Sequence, residues 1–261
     1  MKSVKGIICF ILSVSLVFAL TAPAFASKTV NNENYDCLVE QGFSESFLNN
    51  QTASYLQKMV NIIGDKEIVN IKTTVIGSTE SGIATVADIG SSLKLEIVAA
   101  EMCEKNSNKI SSVLTGVSWE WSKNKPVYRG KDAVTVNWDP AVFTYADGFY
   151  GQDLYKTNAS DSWTVFKEYN DLAAANQGGI GTWTDLKAFK NYVGGSMLFV
   201  LAPASPITKG TSHSTGIHVQ YVHSAAPFNG LSISAFNFGV GITWNSSCNT
   251  KSATHYIRYS K

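Results

Sequence analysis

From Glu67 onward, apolar and polar residues change places at every second position in short runs, and turn-forming residues separate the runs. Side chains on an extended strand alternate faces with a period of two, so runs of this kind read as half-buried strands. Val69, Ile71, Thr73 and Val75 alternate with Ile68, Asn70, Lys72 and Thr74, and Val113, Thr115, Val117, Trp119 and Trp121 share one parity. Further strands are expected at 127–128, 133–138, 142–145, 163–169, 197–201, 216–223, 231–238 and 255–259, with Asp139-Pro140 as a stop. Many short strands with turn-rich joints predict an antiparallel β-sandwich or open barrel. Two stretches read both ways. Residues 93–103 fit helix or strand, with Leu93, Ile97 and Ala100 favouring helix; residues 184–193 fit a short helix carrying Leu186, Phe189 and Val193, or a hairpin.

The segment before Glu67 has a different period. Tyr35, Leu38 and Val39 fit one helical face, with Gly42 as a stop just beyond. Ser44 is placed to cap a second turn, with Phe43 and Leu48 as its hydrophobic staple. Thr52 caps a third helix, in which Tyr55, Leu56, Met59, Val60 and Ile63 repeat at helical spacing up to Gly64. A unit of about 30 residues is too small to stand alone, so it is expected to dock on the strands. The predicted fold class is α+β: a small N-terminal helical unit, 27–66, packed on an antiparallel β-sandwich, 67–261.

Residues 1–26 read as a cleaved secretory signal. Lys2 and Lys5 form a positive start, an apolar run extends from Gly6 to about Leu20, and Pro23 precedes the small-residue frame Ala24-Phe25-Ala26. Cleavage is expected between Ala26 and Ser27, leaving 235 residues outside the cell. The run is shorter than the roughly 20 residues a spanning helix needs, so stable membrane insertion is not expected. Removing Lys2 and Lys5 leaves 19 basic residues against 20 acidic ones. So balanced a chain has no general attraction for nucleic acid. The Ser/Thr-rich stretch 73–90 resembles the composition of membrane-inserting hairpins. Thr73-Thr74 and Gly77-Ser78 break the alternation such hairpins need, and an ordinary edge hairpin is the better reading.

Three cysteines follow the cleavage point, Cys37, Cys103 and Cys248. An exported protein is permitted a disulfide, and the expectation is one disulfide and one buried thiol, with the pairing open. Their spacing matches no zinc motif, and no cofactor or metal is expected.

Two groups of residues are candidates for a site. Aromatics crowd the second half of the chain, and the stretch Trp138 to Tyr150 mixes rings with Asp139, Asp147 and a Gly hinge, as a recognition loop does. Trp138, Tyr145, Tyr150 and Trp183 are the binding candidates, with rings to stack on sugar faces. The other group is histidine: His213, His218 and His223, spaced by five, and His255. A histidine beside a carboxylate can serve as a general base, and two imidazoles brought together can hold a metal. On one strand, however, His218 and His223 point to opposite faces. Asp139, Asp147, Asp153 and Glu168 are carboxylates of the kind a sugar hydrolase pairs, but spacing does not bring any two together. No GxSxG, HExxH or Walker motif occurs.

Tyr35-Asp36, Gly42-Phe43-Ser44 with Phe47-Leu48, and later Tyr221-Val222-His223-Ser224 with Ile233 and the 239–241 stretch, resemble secreted proteins of Gram-positive spore-forming bacteria, a largely uncharacterised group. The resemblance implies a Gram-positive secretory context and transfers no catalytic residue. The expected function is a secreted, non-catalytic binding protein for an envelope or extracellular glycan or a protein surface. The alternative is a secreted hydrolase that uses a C-terminal histidine with a carboxylate.

Overall fold

The computed structural model describes residues 33–76, 93–121, 131–187, 190–210, 214–224, 232–236, 239–243 and 248–258. The predicted signal and its cleavage pair Ala26–Ser27 lie outside them, as does His213. The side chains of Cys248 and His255 are also outside the description. The described residues belong to one compact unit. It is built mostly of antiparallel β-sheets with few helices, an arrangement compatible with a β-sandwich. Among the described residues no helix is long and apolar enough to cross a membrane.

The helices follow the capping residues. Helix α1 spans Glu33–Glu40, α2 Glu45–Leu48 and α3 Ala53–Ile63. The Ser44 hydroxyl accepts the Phe47 N–H and the Thr52 hydroxyl accepts the Tyr55 N–H, both at 3.3 Å. Each bond satisfies an N–H that the first helical turn leaves without an intrahelical partner. Gly42, at φ +99°, takes the left-handed conformation that ends α1.

A seven-stranded sheet has the order β1 (Glu67–Ile76), β2 (Leu93–Cys103), β3 (Lys109–Trp121), β9 (Tyr192–Pro203), β5 (Phe143–Lys156), β6 (Thr164–Tyr169), and the two-residue β10 (Ile207–Thr208) also pairs with β3. A five-stranded sheet has the order β14 (Cys248–Arg258), β11 (Ser214–Ser224), β4 (Lys131–Asn137), β8 (Gly179–Asp185), β7 (Ala174–Asn176). β12 (Ser232–Phe236) and β13 (Gly239–Thr243) form a separate hairpin.

One apolar cluster joins the two large sheets: Leu95, Ile97, Val117, Trp119, Met197 and Phe199 from the first meet Val134, Val136, Ile217, Val219 and Tyr221 from the second. A second cluster joins the helices to the opposite face of the first sheet, where Leu38, Phe47, Tyr55 and Met59 meet Val98, Ala100, Leu114 and Leu198. Each fully buried side chain of this size contributes ~1.5–3 kcal/mol. Gly116 makes that second contact close. A Cβ there would lie 2.8 Å from the Tyr55 hydroxyl and 2.9 Å from Val98 Cγ1. The hydroxyl donates instead to the Met197 carbonyl, at 2.9 Å.

Several expectations are corrected. Residues 93–103 form strand β2, not a helix. The strand carries apolar residues on both faces, because one face meets the second sheet and the other meets the helices, so its alternation is hidden. The strand expected at 142–145 is part of β5, which runs on from Phe143 to Lys156, so most of the recognition loop read from Trp138 to Tyr150 is strand. Among the described residues of 184–193 there is no helix: β8 ends at Asp185 and β9 begins at Tyr192. Cys37 and Cys103 are free thiols, so none of the three pairings forms.

Candidate functional site

Of the four aromatic candidates, two are core residues. Trp138 is 4% exposed, its ring stacks on Phe199 with centroids 5.9 Å apart, and its Nε1–H donates to the Gln177 carbonyl at 2.9 Å. Tyr150 is equally buried under α3, and its hydroxyl donates to Glu168 Oε1 at 2.7 Å. Burial and that carboxylate push its phenol up to about 12. Tyr145 is half-buried against the inter-sheet core, and Trp183 is half-buried on the far face of the second sheet, under the β12–β13 hairpin. The four rings therefore do not line up as one exposed platform.

The histidines separate as strand parity requires. On β11, Ile217, Val219 and Tyr221 face the inter-sheet core, and His223 joins them. His218 lies on the other face, half-buried, and burial holds its imidazole below the usual range. His223 meets Asp132, the second residue of β4 and 91 positions away: Nδ1 lies 2.9 Å from Oδ1. The Tyr221 hydroxyl donates to Asp132 Oδ2 and accepts from Trp121 Nε1–H at 3.0 Å. The Trp121 and His223 rings meet edge to face, 5.4 Å apart. Asp132 and His223 are both fully buried, and His223 Nε2 has no partner. Nearby, Asp153 of β5 accepts from the Thr184 hydroxyl (2.5 Å) and the Asp185 N–H (3.0 Å), and burial pushes its carboxyl up to about 7. Asp139 and Asp147, the other acids considered from sequence, are not brought to this network by any hydrogen bond among the described residues.

A second arrangement, not visible in the sequence, lies on the outer face of the first sheet beside the helices. The helices cover the rows through Val98 and Ala100. Register places Glu96 opposite Ser118, Ser118 opposite Ser196, and Ser196 opposite Gln152, a polar row across β2, β3, β9 and β5. All four are buried. Gln152 donates to Ser196 Oγ at 2.9 Å and accepts from the Thr52 hydroxyl at 2.7 Å, which ties the row to the start of α3.

At the Glu96 end the row meets a shallow surface depression, lined by Asn50, Lys94, Glu96, Ser118, Glu120 and Trp163 among others. Glu96 is 1% exposed. Its Oε2 accepts from Lys94 Nζ at 3.0 Å, while its Oε1 has no partner. Lys156 lies 3.2 Å from Glu120 Oε1 and sits over the Trp163 ring at 4.3 Å and the Tyr192 ring at 5.4 Å. A carboxylate oxygen taken out of water without a hydrogen bond is costly. Among the described residues no cluster of three His, Cys, Asp or Glu is placed to hold a metal ion.

No protein-family model matches the chain, and no curated protein matches it. Among solved structures it is similar to AvmM, described as catalysing macrocyclization in alchivemycin A biosynthesis, at 12% identity and a TM-score of 0.26, over 74% of this chain and 90% of that one. A likeness this slight bears on neither fold nor function.

Proposed function

We propose that the chain is a secreted, non-catalytic binding protein that recognises an extracellular or envelope glycan, and that the depression beside the helices is its ligand site. The finer architecture proposed with it is an α+β one, a small helical unit seated on a β-sandwich. One observation supports the functional reading: a part-exposed Trp163 indole, with Lys156 over its ring, in the depression beside the helices that Lys94 and Glu120 also line. Protein–sugar recognition needs an acceptor for hydroxyl or amino donors and a ring for the apolar sugar face. The part-exposed Glu120 and Trp163 offer both. The aromatic wall is thus Trp163, not Trp138 or Tyr150.

Retention of the 27–261 chain on purified cell wall and on insoluble polysaccharides tests this, with Trp163→Ala alongside. Retention by at least one polymer, weakened several-fold in the variant, is expected. Failure to bind any of them at low and moderate salt removes the glycan reading. Export is tested separately: expressed with its first 26 residues in a Gram-positive host, the protein is expected in the medium with Ser27 at its N-terminus.

A hydrolase is the second reading, and the His223–Asp132 pair favours it. A carboxylate on Nδ1 with a free Nε2 is the orientation a general base requires. Against it stands complete burial of both residues, with the imidazole wedged on Trp121. Hydrolysis of chromogenic esters or glycosides that is abolished by His223→Gln, in a variant that still folds, would reverse the preference.

A further inference from the structure

We infer that Asp153 works a pH-sensitive latch between the two large sheets, closed while its carboxyl carries a proton and released when it ionises. In the middle of their contact the sheets meet by apolar side chains, Ile97, Val117 and Phe199 against Val136 and Val219. Polar bonds cross between them at one end. Asp153 of β5 accepts from Thr184 and Asp185 of β8, Lys167 of β6 bonds Asp185 at 3.0 Å, and Trp121 of β3 donates to Tyr221 of β11. This end is where strands stop: Trp121 and Asp185 are the last residues of β3 and β8, and Asp153 lies three before the end of β5. Strand ends open at lower cost than the middle of a sheet, so the latch can part without unfolding of the whole chain.

Charge decides when it parts. Asp153 is fully buried, and its bonds come from neutral donors: the Thr184 hydroxyl, the Asp185 N–H and, at 3.5 Å, the Tyr169 hydroxyl. Gly195, its register partner on β9, carries no charge. Lys167 is bound to Asp185, Lys131 opposite Asp185 is exposed, and Lys187 and Lys190 stand over the Tyr155 ring. From β4 and β11, Asp132, Tyr221 and His223 complete the surround, with Asp132 opposite Thr184 in register. An ionised Asp153 thus stands with two further carboxylates against Lys167 and, when protonated, His223. A buried charge without its own counter-ion is costly, and burial pushes the Asp153 carboxyl up to about 7. With a raised value of this kind the latch holds fully below the ordinary carboxylate range and weakens as pH rises through 7.

Native-state amide exchange of the 27–261 chain in low urea, at pH 5 and pH 8 and corrected for intrinsic rates, tests the latch. At 182–185, protection is expected to be nearly independent of urea, the mark of local opening, while at 95–98 of β2 it falls with urea. Protection at 182–185 is expected to be about tenfold lower, or more, at pH 8 than at pH 5, since one raised carboxyl gives up to about tenfold per pH unit. Asp153→Asn stands in for the protonated acid: its amide can donate to the Thr184 oxygen and still accept the Asp185 N–H. The variant is expected to lose the pH difference at 182–185. Urea dependence as steep at 182–185 as at 95–98, no pH difference in the unmutated chain, or a difference that survives in Asp153→Asn each overturns the inference. Should that variant fail to fold, the carboxyl carbon resonance of Asp153 decides: titration near 7 supports the latch, and titration in the ordinary carboxylate range overturns it.

Discussion

Asn137 holds both backbone groups of Val240: its Oδ1 accepts the Val240 N–H at 2.7 Å, and its Nδ2 donates to the Val240 carbonyl at 3.0 Å. An amide side chain thereby takes the part of a neighbouring strand and fixes the β12–β13 hairpin over the second sheet. Asn176 adds a bond to the Gly239 carbonyl, at 2.6 Å. Asn137→Ala strands two backbone groups and is expected to cost about 1–3 kcal/mol in urea unfolding. Amide exchange in 239–243 should accelerate well before that in β3. Uniform acceleration through the whole chain would show that the hairpin is not held separately.

Gly116 is expected to tolerate no side chain. Gly116→Ala puts a methyl against Tyr55 and Val98, both packed, and overpacking of this kind costs about 1–3 kcal/mol. Tyr55→Phe, which removes the bond to Met197 and no packing volume, should cost less, about 1 kcal/mol. Paired denaturant curves measure both.

Stability is expected to fall as pH rises from about 4 to about 7. Asp153 and Glu101 are both pushed up to about 7, chiefly by burial. Between the ordinary carboxylate range and 7 the folded chain therefore holds protons that the unfolded chain releases. Stability from a raised pKa is fully present below the unfolded value and lost through the folded one, by up to about 1.4 kcal/mol per pH unit per group. His218 opposes this, since its lowered pKa costs stability as pH falls below its ordinary value. Asp153→Asn should flatten the profile of unfolding temperature against pH and raise its value at pH 8. An unchanged slope in that variant would remove Asp153 as a source.

Tyr221→Phe takes one hydroxyl from a fully buried network, removes one bond from Asp132 Oδ2 and leaves the Trp121 N–H short of a partner. The expected cost is about 1–3 kcal/mol. Near-ultraviolet circular dichroism from Trp121 should change with it, and titration of the depression by sugar should not.

Thiol labelling distinguishes the two described cysteines. Cys37 is partly exposed; Cys103 is buried, and burial pushes its thiol up. Under native conditions at pH 8, Cys37 should react with iodoacetamide faster than Cys103. Intact mass before and after reductant should not differ. A shift of two mass units on reduction would mean that a disulfide forms after all.

Local signals were legible where a residue acts on its own neighbours. Ser44, Thr52 and Gly42 mark the helix ends because caps and turns use bonds a few residues long. His218 and His223 separate by parity alone. β2 was not legible, because a strand buried on both faces shows no period, and β5 was obscured by Asp147, Gly148 and Gly151, which read as turn residues. The Asp132 partner of His223 lies 91 positions away. The depression needs residues from β2, β3 and β5, from the loop ahead of α3, and from just before β6, and no spacing along the chain brings those together. Glu96 in sequence is simply one of three charged residues, with Lys94 and Glu101, in an otherwise apolar run.

The row Glu96–Ser118–Ser196–Gln152 also disciplines how the sheet assembles. In the native pairing these polar residues are adjacent, and Gln152 bonds both Ser196 and Thr52. A one-residue slip of β3 would turn Ser118 and Glu120 toward the second sheet and bring Trp119 and Trp121 out of it, since side chains alternate. A one-residue slip therefore breaks the row and exposes two tryptophans at once, so the row marks the register of β3.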